Sequence, residues 1–399
     1  MTAPGSSGWA SRAGYRRSAW APRPTHREDV FASSAAPDWA DPVAMRRVRR
    51  RRVVVGLLVA AGVIGAGIML YVLASIASSG SSLLQMTLLA LVPLTIVLTT
   101  VWWIDRWEPE PLGMLLLAFL WGVGVSTAVS LVANTSATML LAGATNDFRY
   151  VSAVITAPLV EESTKGLGVL LIFLLARHSF NGAVDGIVYA AVVAAGFAFS
   201  ENILYFLQNQ DNLARTFVLR GIMSPFAHIM FTACTGVAIG ASARMRSRLA
   251  WLWLTPMGLA GAICLHAFWN GALSSDLMLY FIVEVPLFVA AIALVLVLRW
   301  RERLRIRARL REYGQSGWYH EAEVTMLTTS AGRRAARRWA RRRGPGAKRA
   351  MRDFQAASVQ LANLRQGAME GHSVSDFAAS ERTLLDRVMD SRAAYMGQR

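Results

Sequence analysis

Glu161, Glu162 and Lys165 stand within five residues of one another, inside an apolar run from roughly 150 to 176. A run of that length can cross a bilayer. Each charge near its middle adds about 2.5–3.5 kcal/mol to insertion, so such groups are expected to face a wet cavity or partners on other helices. Glu161 and Lys165 are four apart and share a helical face. Glu162 points about 100° away and addresses a different neighbour. The plain reading is an ion pair that ties this helix to its surroundings. The chemical reading is a carboxylate able to take a proton from water, with an ammonium beside it. Three later apolar runs favour the chemical reading, because they carry Glu201 with Asn202, Arg220 with His228, and His266 with Asn270.

Hydrolysis of a peptide bond needs an activated water, a proton shuttle and a group to stabilise the oxyanion. Carboxylates and imidazoles supply the first two, and His/Glu ligands can instead hold a metal ion that serves all three. At 1.5 Å per residue, Glu161 and His228 fall roughly 17 Å below the outer ends of their runs, and Glu201 and His266 roughly 9–10 Å. Four separate helices thus place such groups in the middle to outer half of the membrane. Each residue also has a plain alternative. Glu201 can serve as an interhelical hydrogen-bond acceptor, and Phe197, one turn before it, as packing. His228 shares a four-residue stripe with Thr232, Gly236 and Gly240, which reads first as a close-packing surface. Asn270, four residues after His266, is placed to orient that imidazole. There is no H-E-x-x-H, so a zincin is not supported.

The elements that must position these groups are membrane helices. The chain has 399 residues, 54% hydrophobic and 17% charged; a soluble chain carries closer to a quarter charged residues. The net charge of +17 suggests nucleic acid if taken alone. Its positives cluster beside apolar runs and in a terminal tail, as the positive-inside rule requires, and no nucleic-acid partner is expected. Cys234 and Cys264 fall within runs and read as small buried hydrophobes, with no disulfide framework.

Residues 1–45 are Ser-, Ala-, Pro- and Arg-rich and read as a disordered cytoplasmic arm. Residues 46–299 hold about eight spans, at roughly 53–77, 83–104, 112–142, 150–176, 184–207, 216–243, 250–272 and 277–298. The third is long enough to be tilted or broken near Gly122 and Gly124. The second ends in Trp102, Trp103 and Trp107, which suit an interface. The stiff acidic connector Asp105…Glu108-Pro109-Glu110-Pro111 follows it. Arginines at 46–52, Arg177, the trio Arg244, Arg246 and Arg248, and the cluster from Arg299 all fall on one side. This places the protein in the cell membrane as a multi-pass chain with both termini cytoplasmic. The fold expected is an all-α polytopic bundle with a soluble helical tail at 300–399. In that tail the basic segment 333–343 is read either as a solvated helix face or as a dock for anionic lipid at the inner leaflet.

The chain resembles the PrsW family of intramembrane proteases, a branch of the group that contains the type II CAAX prenyl endopeptidases. The resemblance rests on Ala-Pro-Leu-Val-Glu161-Glu162-Ser-Thr-Lys165, Asp185-Gly186, Gly196-Phe197-Ala198-Phe199-Ser200-Glu201-Asn202, Arg220 with His228, and His266-Ala-Phe-Trp-Asn270. It covers about 105–270, and the tail resembles extensions on actinobacterial members. It implies a general base at Glu161 or Glu162, with Lys165 steadying the pair. Glu201, His228 and His266 would be ligands to zinc or another divalent metal. In a metal-free glutamic mechanism they would serve as oxyanion and proton partners. Phe197, Asn202 and Asn270 would support these groups. It also implies a single-pass membrane protein as substrate, by analogy an anti-sigma factor receiving its first cut in an envelope-stress response. Two other classes use the same residues. A non-catalytic assembly subunit would have no need to keep all five acids and histidines, and a proton-coupled transporter would show internal repeats with broken helices, which are not seen.

Overall fold

The structure is a computed structural model and describes residues 42–77, 80–107, 109–142, 146–177, 180–247, 249–273, 277–371 and 377–397. The expected arm at 1–45 therefore lies almost wholly outside the described residues. Two compact units are present, one at 41–296 and one built on 297–399.

The first unit is a helical bundle. Its helices are α1 (Pro42–Ile76), α2 (Gly80–Asp105), α3 (Leu112–Ala142), α4 (148–175), α5 (Ala183–Gln208), α6 (213–223), α7 (Ala227–Ser242) and α8 (Trp251–Phe268). Residues 277–284 lead into α9 (Val285–Gln315), which begins in the bundle and ends in the second unit. Among the described residues, seven helices are long and apolar enough to cross a membrane. The expected fourth span, α4, falls outside that set for a physical reason: Glu161, Glu162 and Lys165 all lie in its apolar stretch.

The axis of the bundle is α5. Of its most apolar stretch 89% is buried, against 17% for α1 and 6% for the helix that includes α9. It packs mainly on α7, α3 and α2, around a core of Leu117, Trp121, Phe173, Val188, Tyr189 and Ile239. Val53, Leu57, Ile64 and Ile68 of α1 point outward, the distribution expected of helices surrounded by lipid. Cys264 also lies on the exposed surface, contrary to the expectation of a buried hydrophobe, because α8 turns that face away from its neighbours.

Close backbone approach fixes α5 in place. A methyl group on Gly186 would run into the carbonyl of Gly236, and one on Gly236 into the carbonyl of Gly186. The stripe through Gly236 and Gly240 is therefore a close-packing seam, as its spacing predicts. Two to three turns further along α5, Gly122 abuts the backbone of Val193 and Phe197. The third span does not break there. It passes through a widened π turn at Trp121–Ser126, and similar turns occur at Ser152–Thr156, Val218–Met223 and Trp269–Leu273.

The sixth span differs most from expectation. It is interrupted at 224–226, between α6 and α7. Pro225 supplies no amide hydrogen and cannot continue a regular helix. The amide of Ser224 bonds back to Leu219, and its hydroxyl donates to the same carbonyl at 2.7 Å.

The second unit has its own core, with Leu310, Tyr313, Tyr319, Leu327, Phe354, Leu361 and Val388 buried together. It contains α10 (Glu321–Leu327), α11 (Ser330–Arg342), α12 (Pro345–Met369) and α13 (Phe377–Met396).

Candidate active site

The helix α4 carries the centre of the site and is held by α3. Trp121 Nε1 donates to the Thr164 carbonyl at 2.9 Å, and the hydroxyls of Ser126 and Thr164 lie 2.8 Å apart. The ring of Trp121 lies where a side chain at residue 168 would be, and Gly168 leaves that space open. This clamp sets the rotation of α4 and so the directions of Glu161, Glu162 and Lys165.

Lys165 is fully buried, and its ammonium is the hub of the site. Nζ donates to Glu162 Oε1 at 2.8 Å and to Glu161 Oε2 at 3.3 Å, and it lies 3.2 Å from His228 Nδ1. It also sits 3.8 Å from the centre of the Phe197 ring, so the aromatic face caps the remaining side of the cation. Phe197 thus does more than pack.

The two adjacent carboxylates have different surroundings. Glu162 has no exposed surface. Its Oε1 accepts from Lys165 and, at 3.1 Å, from His266 Nδ1; its Oε2 accepts from the Thr232 hydroxyl at 2.8 Å. Three short bonds saturate it. Glu161 keeps 6% exposure and has only long contacts, from Lys165 at 3.3 Å and from Asn134 Nδ2 at 3.4 Å. Of the pair, Glu161 is the one that can meet a water molecule.

Glu201 is bracketed by cations and imidazole. Arg220 Nη2 and His228 Nε2 both bond its Oε2, the latter at 2.8 Å. Arg220 Nε donates to Asn202 Oδ1 at 2.9 Å, so Asn202 orients the guanidinium. Arg220 and His228 are eight residues apart, and an unbroken helix would separate them by about 12 Å along its axis. Across the interruption at 224–226 both reach one oxygen.

Each histidine is therefore backed by a carboxylate: His228 by Glu201 through Nε2, and His266 by Glu162 through Nδ1. Those bonds assign the N–H of each ring to the carboxylate side and leave Nδ1 of His228 and Nε2 of His266 as lone-pair donors. Glu161, His228 and His266 each offer an atom within 4.8 Å of the other two. Two imidazoles and a carboxylate, with the rings held from behind by acids, fit a divalent metal in donor type and number. The geometry differs from the expected ligand set of Glu201, His228 and His266. It groups Glu161 with the two rings, because the Glu201 oxygen is taken up by Arg220 and the far side of His228.

Asn270 donates to the Ala153 carbonyl at 2.8 Å, from a widened turn at Trp269–Leu273, and Glu162 holds His266 through Nδ1. Sequence reasoning missed Thr232, Asn134 and Trp121 as parts of the site. Asn134 stood out as an amide within an apolar run; Thr232 was masked by the small-residue stripe it belongs to.

A family model described as PrsW family intramembrane metalloprotease matches residues 110–297, a stretch that contains every residue of this site and excludes the tail. The chain is 35% identical over 160 residues to Protease PrsW of Clostridioides difficile (strain 630), covering 39% of this chain and 65% of that protein. It is 32% identical over 171 residues to Protease PrsW of Geobacillus kaustophilus (strain HTA426), covering 39% and 68%. Against Protease PrsW of Bacillus subtilis (strain 168) the identity is 27% over 153 residues, covering 38% and 66%. The chain thus spans about two thirds of the length of these curated relatives. No solved structure matches it.

Proposed function

Since the chain belongs to the PrsW family of intramembrane metalloproteases, we propose that it hydrolyses a peptide bond of a membrane-anchored protein, with water activated at Glu161. The observation that carries this reading is the contrast between the two neighbouring buried carboxylates, one held by three bonds with no exposed surface and one held only by long contacts with 6% exposure.

In this mechanism Glu161 accepts the proton of the attacking water and later passes it to the leaving amine. Glu162 and Glu201 hold His266 and His228 in the tautomers that aim a lone pair at the site. Lys165 holds the two buried acids in register through its bonds to both, and Arg220 does the same for Glu201. His228, His266 and one oxygen of Glu161 would hold zinc or another divalent ion, leaving the other Glu161 oxygen as the proton acceptor; when bound, the ion supplies a Lewis acid for the carbonyl oxygen and a more acidic water. A specific observation supports a second, metal-free reading: His228 Nδ1 already accepts from the Lys165 ammonium. In that reading the two rings are proton partners: each takes up a proton on the lone pair that faces the site and can then donate to the oxyanion.

The substrate is read as a single-pass membrane protein cut near its outer face, of which a membrane-anchored anti-sigma factor is the family precedent. The site test incubates the purified full chain in detergent with a generic membrane-anchored substrate, with and without chelator, beside Glu161→Gln. Cleavage by wild type and none by Glu161→Gln is expected. Equal cleavage by both removes Glu161 from the chemistry.

A further inference from the structure

The second unit contains a concave site that the proteolytic chemistry does not use. In α11, Arg334, Arg337, Arg338 and Arg341 recur at intervals of three, four and seven and share one face. In α12, Lys348 and Arg352 are four apart and do the same. The two helices meet through a tight turn at Gly344, whose φ of +112° is a conformation that strongly favours glycine. Burial of Ala340, Ala350 and Met351, together with a 3.2 Å bond from Gln355 Nε2 to the Arg333 carbonyl, locks the pair side by side. The six cations then line a pocket of about 340 Å³.

Like charges held this close repel one another, and no acid lines the pocket to offset them. Among the described residues, Arg334, Arg338, Arg341, Lys348 and Arg352 make no ion pair. Elsewhere in the same unit Arg309, Arg311, Arg365 and Arg392 are all matched with glutamates. Carboxylates are thus used freely in this unit and are absent where the positive charge is densest. Arg343, just past the end of α11, is turned onto the Trp339 ring at 4.1 Å and stays out of the pocket.

We propose that this pocket binds a small polyanion bearing two or more phosphate groups. Guanidinium forks bond phosphate oxygens two at a time, and those of Arg334, Arg338 and Arg341 on one helix face match clustered phosphates better than a single charge. The concave shape favours a compact group over the convex, spread-out phosphates of a nucleic-acid duplex. Two sources share this chemistry: a soluble polyphosphate such as a nucleoside triphosphate, and a lipid headgroup with two phosphates, such as cardiolipin.

The test uses the purified full chain in detergent at physiological salt, titrated calorimetrically with ATP, with inorganic triphosphate, and with cardiolipin or phosphatidylglycerol in mixed micelles. One-to-one binding of either triphosphate compound supports the proposal with a soluble source. Binding of cardiolipin well above phosphatidylglycerol at equal charge supports it with a lipid source. The R338Q/R341Q double variant is expected to weaken binding at least tenfold, R338K/R341K to weaken it less, and R311Q, outside the pocket, to leave it unchanged. The lysine variant keeps the test valid if the glutamine variant fails to fold. No binding by wild type, binding untouched by these substitutions, or tighter binding of a short RNA duplex than of any of the four probes would overturn the proposal.

Discussion

The Thr232 hydroxyl donates to Glu162 Oε2 at 2.8 Å, and neither side chain has any exposed surface. This bond completes the shell of a carboxylate that also holds Lys165 and His266. It separates the roles of two adjacent glutamates that the sequence presents as equivalent. Thr232→Val should leave one buried oxygen unpaired and destabilise the protein by about 1–3 kcal/mol. Thermal unfolding in detergent should drop while the site keeps measurable cleavage. Unchanged stability would show that Glu162 finds another donor.

Glu161→Gln and Glu162→Gln should fail differently. The first is expected to fold normally and lose at least about 100-fold in turnover, the size of a general-base contribution. The second should also lower stability and loosen His266, which depends on Glu162 Oε1. Unfolding curves and turnover measured together separate the two. A pair of variants with normal folding and the same activity loss would erase the distinction.

Lys165 should behave as a structural cation. Its removal in Lys165→Met leaves two buried acids without their shared partner, a loss of about 3–5 kcal/mol for a buried pair. Lys165→Arg restores the charge and should recover part of the stability. Metal analysis adds a second readout, because Lys165 occupies a nitrogen of His228 that a metal would use. If Lys165→Met binds metal more tightly than wild type, lysine and metal compete for that ring. Equal metal content in both proteins would place the ion away from Nδ1.

The glycine seam gives a stability contrast that does not involve the chemistry. Gly186→Ala should be strongly destabilising, since its methyl meets the Gly236 backbone, whereas Gly56→Ala meets nothing within 4 Å. Helix propensity alone favours alanine by about 0.8–1.0 kcal/mol, so Gly56→Ala is expected to be neutral or stabilising. Similar melting shifts for both would mean that α5 and α7 do not approach as closely as described.

Orientation follows from the arginine asymmetry. Gln210 and Ser247 are both exposed. A cysteine placed at Gln210 should react with an impermeant reagent from outside intact cells, while one at Ser247 should be protected. The reverse pattern would invert the topology.

Long apolar runs made the helices legible in advance. The third span has the bounds read from its sequence, and the fifth extends by one residue at each end. Hydropathy measures what a helix faces over many residues, so it tolerates local error. The pairing of Glu161 with Lys165 was legible for a similar reason, since a four-residue interval fixes a shared face whatever surrounds it. Pairings between helices were not. Nothing local to Glu201 says that Arg220 will claim its oxygen, and nothing local to Asn270 says that it will turn to Ala153. Pro225 is a local sign of the interruption in the sixth span, but it sits within an apolar run, and hydropathy averaged over that run does not register it.

The widened turns at Trp121–Ser126, Ser152–Thr156, Val218–Met223 and Trp269–Leu273 bear on how this chain can change over time. A π turn holds an extra residue relative to regular α-helix. In a regular α-helix, gaining or losing one residue swings everything beyond it by about 100°. A π turn absorbs most of that rotation locally, so deleting its extra residue restores ordinary winding while the helix beyond keeps nearly the same face toward the site. Near Arg220 or Glu161, a change of length is therefore tolerated better at these turns than in the regular helix around them. A descendant lineage can shorten the chain there and keep the site, whereas the same change elsewhere in these helices would carry a site group onto another face.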